Sequence, residues 1–332
     1  MGGSRVFSGI KPTGEMHLGN YLGAVRHWVA DLDRSEALYC VVDLHAMTIP
    51  YDPRDLGAWT RETAMLLMAA GIDPSRCTLF VQSHVDAHTE LTWLLNCVAT
   101  TGELRRMTQF KEKSEGHESV SVGLFDYPVL MTADILAYDT DRVPVGDDQR
   151  QHLELARDLA MRFNKRFGET FVVPEATIPP VGARVMDLQH PTAKMSKSSD
   201  SPQGTVTLLD DPKVIAKKFR AAVTDSETAI RYDRANKPGV SNLLDIYAAV
   251  SGRSIDDTVA AFDGQGYGAF KGAVADAVVA FLAPVQEHYR NLAADPGEVD
   301  RQLARGADQA ATIAAPVIER ARAAAGLLSR GE

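Results

Sequence analysis

Through the first half of the chain, short apolar segments alternate with helix-length amphipathic ones, joined by short links. Residues 5–8, 37–42, 78–82 and 142–145 read as strands, and residues 20–33, 53–70, 89–100, 129–138 and 147–167 read as helices. The segment 37–42 is apolar throughout, as in strands of a sheet covered on both faces. Pro53 opens one helix and Gly71 closes it, and Gly168 closes the helix that begins at 147. Such alternation predicts an α/β fold with a doubly wound parallel sheet and a ligand site beyond the C-terminal ends of its strands. Residues 102–127 show no clear period and read as an insertion that carries substrate contacts. After Asp200 strands disappear, and helices are predicted at 211–223, 240–250, 255–262, 269–293 and 298–327, with Asp210 or Asp211 capping the first. The expected organisation is a nucleotide domain over 1–204, an all-helical domain over 205–295, and a last helix within 296–332 that packs back on the first domain.

Composition narrows the function. The chain has 332 residues, 45% apolar and 24% charged, which is ordinary for a globular protein. No apolar run approaches the ~20 residues of a bilayer span, and residues 1–10 lack the apolar core of a signal peptide. Cys40, Cys77 and Cys97 form no CxxC pair, which argues against zinc, iron–sulfur and disulfide frameworks and predicts a cytoplasmic protein with no metal-ligand cluster. A net charge of −9 is unlike a uniformly basic nucleic-acid binder. Phosphate affinity depends on where the cations lie, however. They cluster at Arg105, Arg106, Lys111 and Lys113; at Arg157, Arg162, Lys165 and Arg166; and at Lys213, Lys217, Lys218 and Arg220. Each cluster reads equally as a solvated helix face.

Two short motifs carry the chemistry. His17-Leu18-Gly19-Asn20 follows a strand and a Gly/Pro turn and opens a helix. Such a helix mouth lets backbone approach an anionic ligand, and the helix dipole favours negative charge there. Lys194-Met195-Ser196-Lys197-Ser198 places two ammonium groups three residues apart at the expected domain boundary, where they can straddle a triphosphate. Taken singly, the first is also readable as a capped helix and the second as a solvated linker. Together, in this order, they describe one ATP site.

The pair resembles the HIGH and KMSKS signatures of class I aminoacyl-tRNA synthetases, the second verbatim. Further stretches resemble the bacterial tryptophanyl members of that family: Phe7-Ser8-Gly9, Met107 to Ser114, Met131-Thr132-Ala133-Asp134-Ile135-Leu136, Val143-Pro144-Val145-Gly146-Asp147-Asp148-Gln149 and Ala222-Val223-Thr224-Asp225-Ser226. The resemblance runs from about Val6 to the last helix. It implies a Rossmann-like catalytic domain, an anticodon-reading helical domain, and a homodimer that joins L-tryptophan to tRNA(Trp). It also implies ATP as substrate, with Mg²⁺ held mainly by the ATP phosphates.

The resemblance assigns residues as well. Lys194, Lys197, Lys113 and His17 are expected to act on the phosphates. Lys11, Gly19, Asn20, Gly146, Asp148, Met195 and Ser196 complete the ATP site. Tryptophan is expected against Phe7, Gly9, His45, Tyr127, Met131, Asp134, Ile135, Val143, Val145 and Gln149. Asp134 stands alone among apolar neighbours in the sequence, and burying it without a donor would be costly; its counterpart in the family accepts the indole N–H. Phe7, Met131, Ile135, Val143 and Val145 read as pocket walls or as ordinary core. Two positions depart from the family pattern: Lys11 stands where many members carry glutamine, and His17 where many carry threonine. A tyrosyl enzyme, another adenylate-forming enzyme with a HIGH motif, and a tRNA-binding paralogue without catalysis are the competing readings.

Overall fold

The computed structural model describes residues 4–12, 14–116, 119–144, 149–177, 184–196 and 202–329. Among them five parallel strands, β1 (Arg5–Ile10), β2 (Glu36–Val41), β3 (Thr78–Val81), β4 (Arg142–Pro144) and β5 (Glu175–Thr177), form one sheet in the order β3-β2-β1-β4-β5. The chain winds outward in both directions from β1, so the loops after β1 and β4 part at the switch point, where such sheets bind ligands. β5 is absent from the sequence reading. It has three residues, none of them buried, and pairs only with β4 at the sheet edge, too little to show a period. β1 extends to Ile10, two residues into what reads as a loop, because Gly9 and Ile10 pair with Cys40 and Val41.

The helix read as 20–33 begins earlier, at α1 (Leu18–Asn20), and continues through a π-helical turn, Tyr21–Val25, into α2 (Arg26–Asp31). His17 caps it: its ring Nδ1 accepts the Asn20 N–H at 3.2 Å and the Asn20 side chain accepts the His17 N–H at 3.3 Å. A capping box built from His and Asn escapes the usual start signal. After β2 come α3 (Asp43–Ala46) and α4 (Pro53–Ala69), and after β3 comes α5 (Ala87–Asn96). The helix read as 89–100 stops short because Thr100 caps the next one, with Glu103 completing the box. The stretch 102–127, read as irregular, holds α6 (Thr101–Arg105), α7 (Thr108–Ser114) and the first turns of α8 (Val122–Leu136). Two of these helices are too short to display a period, and α8 continues across Pro128, where a sequence reading breaks it. α9 (Arg150–Phe167) follows β4.

Beyond residue 204 lie α10 (Pro212–Arg220), α11 (Pro238–Ser251), α12 (Ile255–Ala261), α13 (Tyr267–Ala294) and α14 (Pro296–Ala324). Asp211 is the cap of α10. The sheet separates two cores. On one face Leu18, Leu22, Val25 and Leu66 pack with Phe219, Leu243 and Val278 of the C-terminal helices, so one core runs across position 204. On the other face Leu91, Val129 and Leu159 pack with Val317 and Ala321 of α14. α14 passes from one core to the other along edge strand β3 and covers it. Gly306 makes the crossing possible, since a Cβ there would lie 1.8 Å from the Leu79 carbonyl oxygen.

α13 corrects one expectation from composition. By length and hydropathy it qualifies as a membrane span. One face of it, with Phe270, Val274, Val278 and Leu282, is nevertheless buried against α10, α11 and α4, about a third of the apolar stretch. The basic clusters are also partly structural. Arg162 bonds Glu103 and the Val98 carbonyl, Arg157 bonds the Pro174 carbonyl, and Lys218 is buried against Asp210 and the Thr205 carbonyl.

Candidate active site

The first motif follows β1, and the described part of the second, residues 194–196, lies beside it. His17 is buried at the head of α1, after the loop that leaves β1. Gly19 follows, and a Cβ built on it would lie 3.0 Å from the His17 ring and 3.6 Å from Met195 Cβ. Met195 is buried while Lys194 is exposed, as expected of successive residues in extended chain. Backbone bonds hold this segment in place: Leu18 donates to the Val206 carbonyl at 2.8 Å, and Leu208 donates to Met16 at 2.9 Å. Thr205 Oγ1 donates to the Ser196 carbonyl at 2.8 Å. His17, Gly19, Asn20, Lys194, Met195 and Ser196 are therefore brought together. Lys197, Val145, Gly146 and Asp148 lie outside the described residues.

A second group surrounds Asp134. Its side chain is 2% exposed, yet it is not the lone carboxylate that the sequence reading suggests. Oδ1 lies 2.7 Å from Gln82 Nε2 and 2.7 Å from His88 Nδ1, and Oδ2 lies 2.7 Å from His45 Nε2. A carboxylate only accepts, so both imidazole nitrogens facing it carry the proton. Burial pushes the Asp134 carboxyl up, but the charge and hydrogen bonds of His45 and His88 outweigh this and hold it well below the usual carboxylate range. An ionised carboxylate has about four acceptor positions. Three donors fill three of them and leave one on Oδ2 for a further N–H. His88 passes the network on, its Nε2 lying 2.7 Å from the Tyr138 hydroxyl.

Gln82, His88 and Tyr138 were not singled out from sequence. Gln82 directly follows β3, at the strand end where ligand-facing residues concentrate, and this was the one available signal. Single histidines and tyrosines carry none. The expected pocket walls are mostly core: Phe7, Ile135 and Val143 are buried, and Phe7 stacks on Tyr138 with centroids 5.8 Å apart. Met131 is only partly buried. Gly9 lets β1 lie close to Val42, whose Cγ1 would be 2.9 Å from an added Cβ.

Tyr127 joins this group to Lys113 and, through the charge of Lys113, to Lys11. Its ring meets His45 edge-on at 6.2 Å, and its hydroxyl lies 3.1 Å from Gln109 Oε1 and 2.8 Å from His152 Nε2. Lys113 Nζ donates to the same Gln109 oxygen at 3.1 Å and sits 5.3 Å from the Tyr127 ring centroid. Burial, then the charge of Glu112, pushes the Tyr127 phenol up to about 12. Burial, then the charge of Lys113, pushes Lys11 down to about 8, so the two ammonium groups share one electropositive field. Gln149 immediately precedes α9, beyond β4, and its side chain makes no capping bond to the helix. Among the described residues no group of three or more His, Cys, Asp or Glu side chains is arranged to hold a metal ion.

The arrangement joins a helix mouth and lysine ammonium groups suited to a triphosphate with a buried, ionised hydrogen-bond acceptor suited to a polar N–H. Comparison with known proteins agrees. The family model described as class I tRNA synthetases (W and Y) matches residues 2–283. The chain is 55% identical over 326 residues to the tryptophan–tRNA ligase of Caldanaerobacter subterraneus subsp. tengcongensis, covering 98% of this chain and 99% of that one. It is 54% identical to the Mycobacterium leprae tryptophan–tRNA ligase over 96% of this chain and 95% of the relative. Tryptophanyl-tRNA synthetase from Mycoplasma pneumoniae superposes with a TM-score of 0.89 at 34% identity, covering 99% of each chain. The Campylobacter jejuni enzyme, solved with ADP and tryptophan, gives 0.85 at 35% identity over 97% of this chain and 100% of that one. The chain belongs to the class I tRNA synthetases of the tryptophan and tyrosine group.

Proposed function

We propose that this protein is a tryptophan–tRNA ligase. Tryptophan carboxylate attacks the α-phosphorus of ATP, the bond to the bridging oxygen breaks, and pyrophosphate leaves. A ribose hydroxyl at the 3′ end of tRNA(Trp) then attacks the adenylate carbonyl and releases AMP. The observation that carries this reading is the close approach of Gly19 to Met195, where a Cβ on Gly19 would lie 3.6 Å from Met195 Cβ, beside the bond from Thr205 Oγ1 to the Ser196 carbonyl. No side chain need act as nucleophile; catalysis is positioning and stabilisation of developing charge. Lys194 and Lys113, with Lys197, are assigned to the departing pyrophosphate, and His17, Lys11, Gly19, Asn20, Met195 and Ser196 to the nucleotide. Gly146 and Asp148 are assigned to the nucleoside. Mg²⁺ enters as the ATP complex.

Asp134 is assigned to the indole N–H through its remaining lone pair, with His45 and Tyr127 beside it. Gln149 and Tyr127 are assigned to the substrate ammonium group. A site built on such a bond rejects an analogue without the donor by roughly 10⁴–10⁵. The roles of 1–204 in catalysis and of 205–295 in anticodon reading, cytoplasmic residence and a homodimeric state belong to the same proposal. The test is amino-acid-dependent exchange of labelled pyrophosphate into ATP. Tryptophan should support exchange, and phenylalanine and tyrosine should not. Exchange with tyrosine would overturn the indole assignment, and none with any amino acid would overturn the ligase reading.

A further inference from the structure

Among the described residues the root of the lysine loop is tied to the region beyond residue 204 at several points: Val223 donates to the Leu188 carbonyl at 2.8 Å, Gln189 Nε2 donates to the Ala221 carbonyl at 3.0 Å, and Asn242 alone holds Met186, the residue opposite Lys194. Asn242 lies on α11, 2% exposed. Its Oδ1 accepts the Met186 N–H at 2.8 Å, and its Nδ2 donates to the Met186 carbonyl at 2.9 Å. One amide thus satisfies both backbone groups of one residue, which fixes that residue's position and orientation together. Met186 in turn faces Lys194 across an antiparallel bridge. Asp187 donates to the Ala193 carbonyl at 2.9 Å, and Met195 donates to the Val185 carbonyl at 3.1 Å. Residues 185–187 and 193–195 therefore form a narrow ribbon, with Met186 and Lys194 as cross-strand neighbours on one face. The far end of the ribbon is closed by Asp187, whose Oδ1 accepts the N–H groups of Gln189 and His190 at 2.7 and 2.9 Å.

We propose that Asn242 is a positioning residue for Lys194, clamping Met186 so that the ammonium group meets the phosphates in register. The inference rests on the assignment of Lys194 to the departing pyrophosphate. α11 is a firm base for the clamp. Lys237, just before its first residue, is buried with its ammonium 2.8 Å from Asp225 Oδ1, 2.8 Å from the Tyr267 hydroxyl and 2.9 Å from Glu227 Oε2. The start of α11 is thereby tied to the 225–227 turn and to α13. Among the described residues His45 bonds Asp134 and meets the Tyr127 ring edge-on, and none of these three assigned tryptophan residues bonds this ribbon. Loss of the clamp should therefore act on the chemical step and spare amino-acid binding.

The experiment is a double-mutant cycle in the full chain, using tryptophan-dependent pyrophosphate exchange with Asn242→Ala, Lys194→Ala and the double variant, alongside thermal melting of each. Misplacement of a catalytic group by about an ångström costs on the order of 100-fold in rate. Asn242→Ala should lower kcat by about 10–100-fold on that scale while KM for tryptophan stays within about twofold. The double variant should be no slower than Lys194→Ala, because two residues acting as one unit are not additive. Asn242→Ser, which keeps one hydrogen-bonding group in a smaller volume and adds no charge, should fall between wild type and Asn242→Ala, and it replaces Asn242→Ala in the cycle should that variant not fold. Losses that multiply in the double variant, a rise in KM for tryptophan at unchanged kcat, or wild-type exchange in both Asn242 variants would each overturn the inference. Wild-type exchange in Lys194→Ala would instead overturn the assignment of the lysine itself.

Discussion

Tyr138→Phe removes one oxygen from the buried network behind Asp134 and nothing else. Tyr138 and His88 are both 0% exposed, and their hydroxyl and Nε2 are 2.7 Å apart. The ring would remain stacked on Phe7 and edge-on to Phe80, so no cavity opens. What changes is that His88 Nε2 is left without its partner in a place water does not reach. Stranding one buried partner of a hydrogen bond costs about 1–3 kcal/mol. Domains somewhat smaller than this chain shift by about 2–4 °C per kcal/mol, and the lower figure suits a longer chain, so a drop in melting temperature of about 2–6 °C is expected. The same substitution loosens the ring whose Nδ1–H holds Asp134 Oδ1, so KM for tryptophan should rise more than kcat falls. Differential scanning calorimetry and pyrophosphate exchange with varied tryptophan read the two effects. An unchanged melting temperature with an unchanged KM would refute the network as drawn.

Three further outcomes follow from single contacts. Lys11 is pushed down to about 8 by burial and by Lys113, so between that pH and the ordinary lysine value the folded state holds fewer protons than the unfolded chain, and stability rises with pH. Lys11→Met should therefore raise the melting temperature at neutral pH, with the gain fading as pH approaches about 10.5; a gain independent of pH would contradict this. Glu103 is held down to about 2, first by its bond to Arg162. Its contribution is complete above the ordinary carboxylate pKa and lost as pH falls toward 2. Glu103→Gln should then destabilise at pH 7 and converge on the parent in acid, as read by urea titration at each pH. Gly306→Ala should lower stability by about 1–3 kcal/mol or more, the cost of overpacking, because a Cβ would lie 1.8 Å from the Leu79 carbonyl oxygen.

The two motifs were legible because each is continuous in sequence and made of residue types with restricted uses. His17-Leu18-Gly19-Asn20 and Lys194-Met195-Ser196 carry their own chemistry wherever they fold. The partners of Asp134 were not legible. Gln82, His88 and His45 come from three separate elements, and each is an unremarkable single polar residue in its own neighbourhood. Asn242 is hidden for the same reason, since it lies 56 positions from the residue it clamps. Short elements were lost too. β5 and α7, with three and seven residues, are set by pairing and docking and not by their own period.

The sequence by itself determined the alternation of strands and helices, the parallel sheet it requires, the helical stretch after Asp200 and the chemistry of the two nucleotide motifs. These follow from local periodicity and from the fixed capabilities of side chains. Only the tertiary structure decided that Gly19 meets Met195, that a buried carboxylate is held by two imidazoles and an amide, and that α14 crosses from one core to the other at Gly306. Contacts of this kind join residues tens to hundreds of positions apart. They exist because burial forces every polar group to find a partner from whatever element the packing brings near.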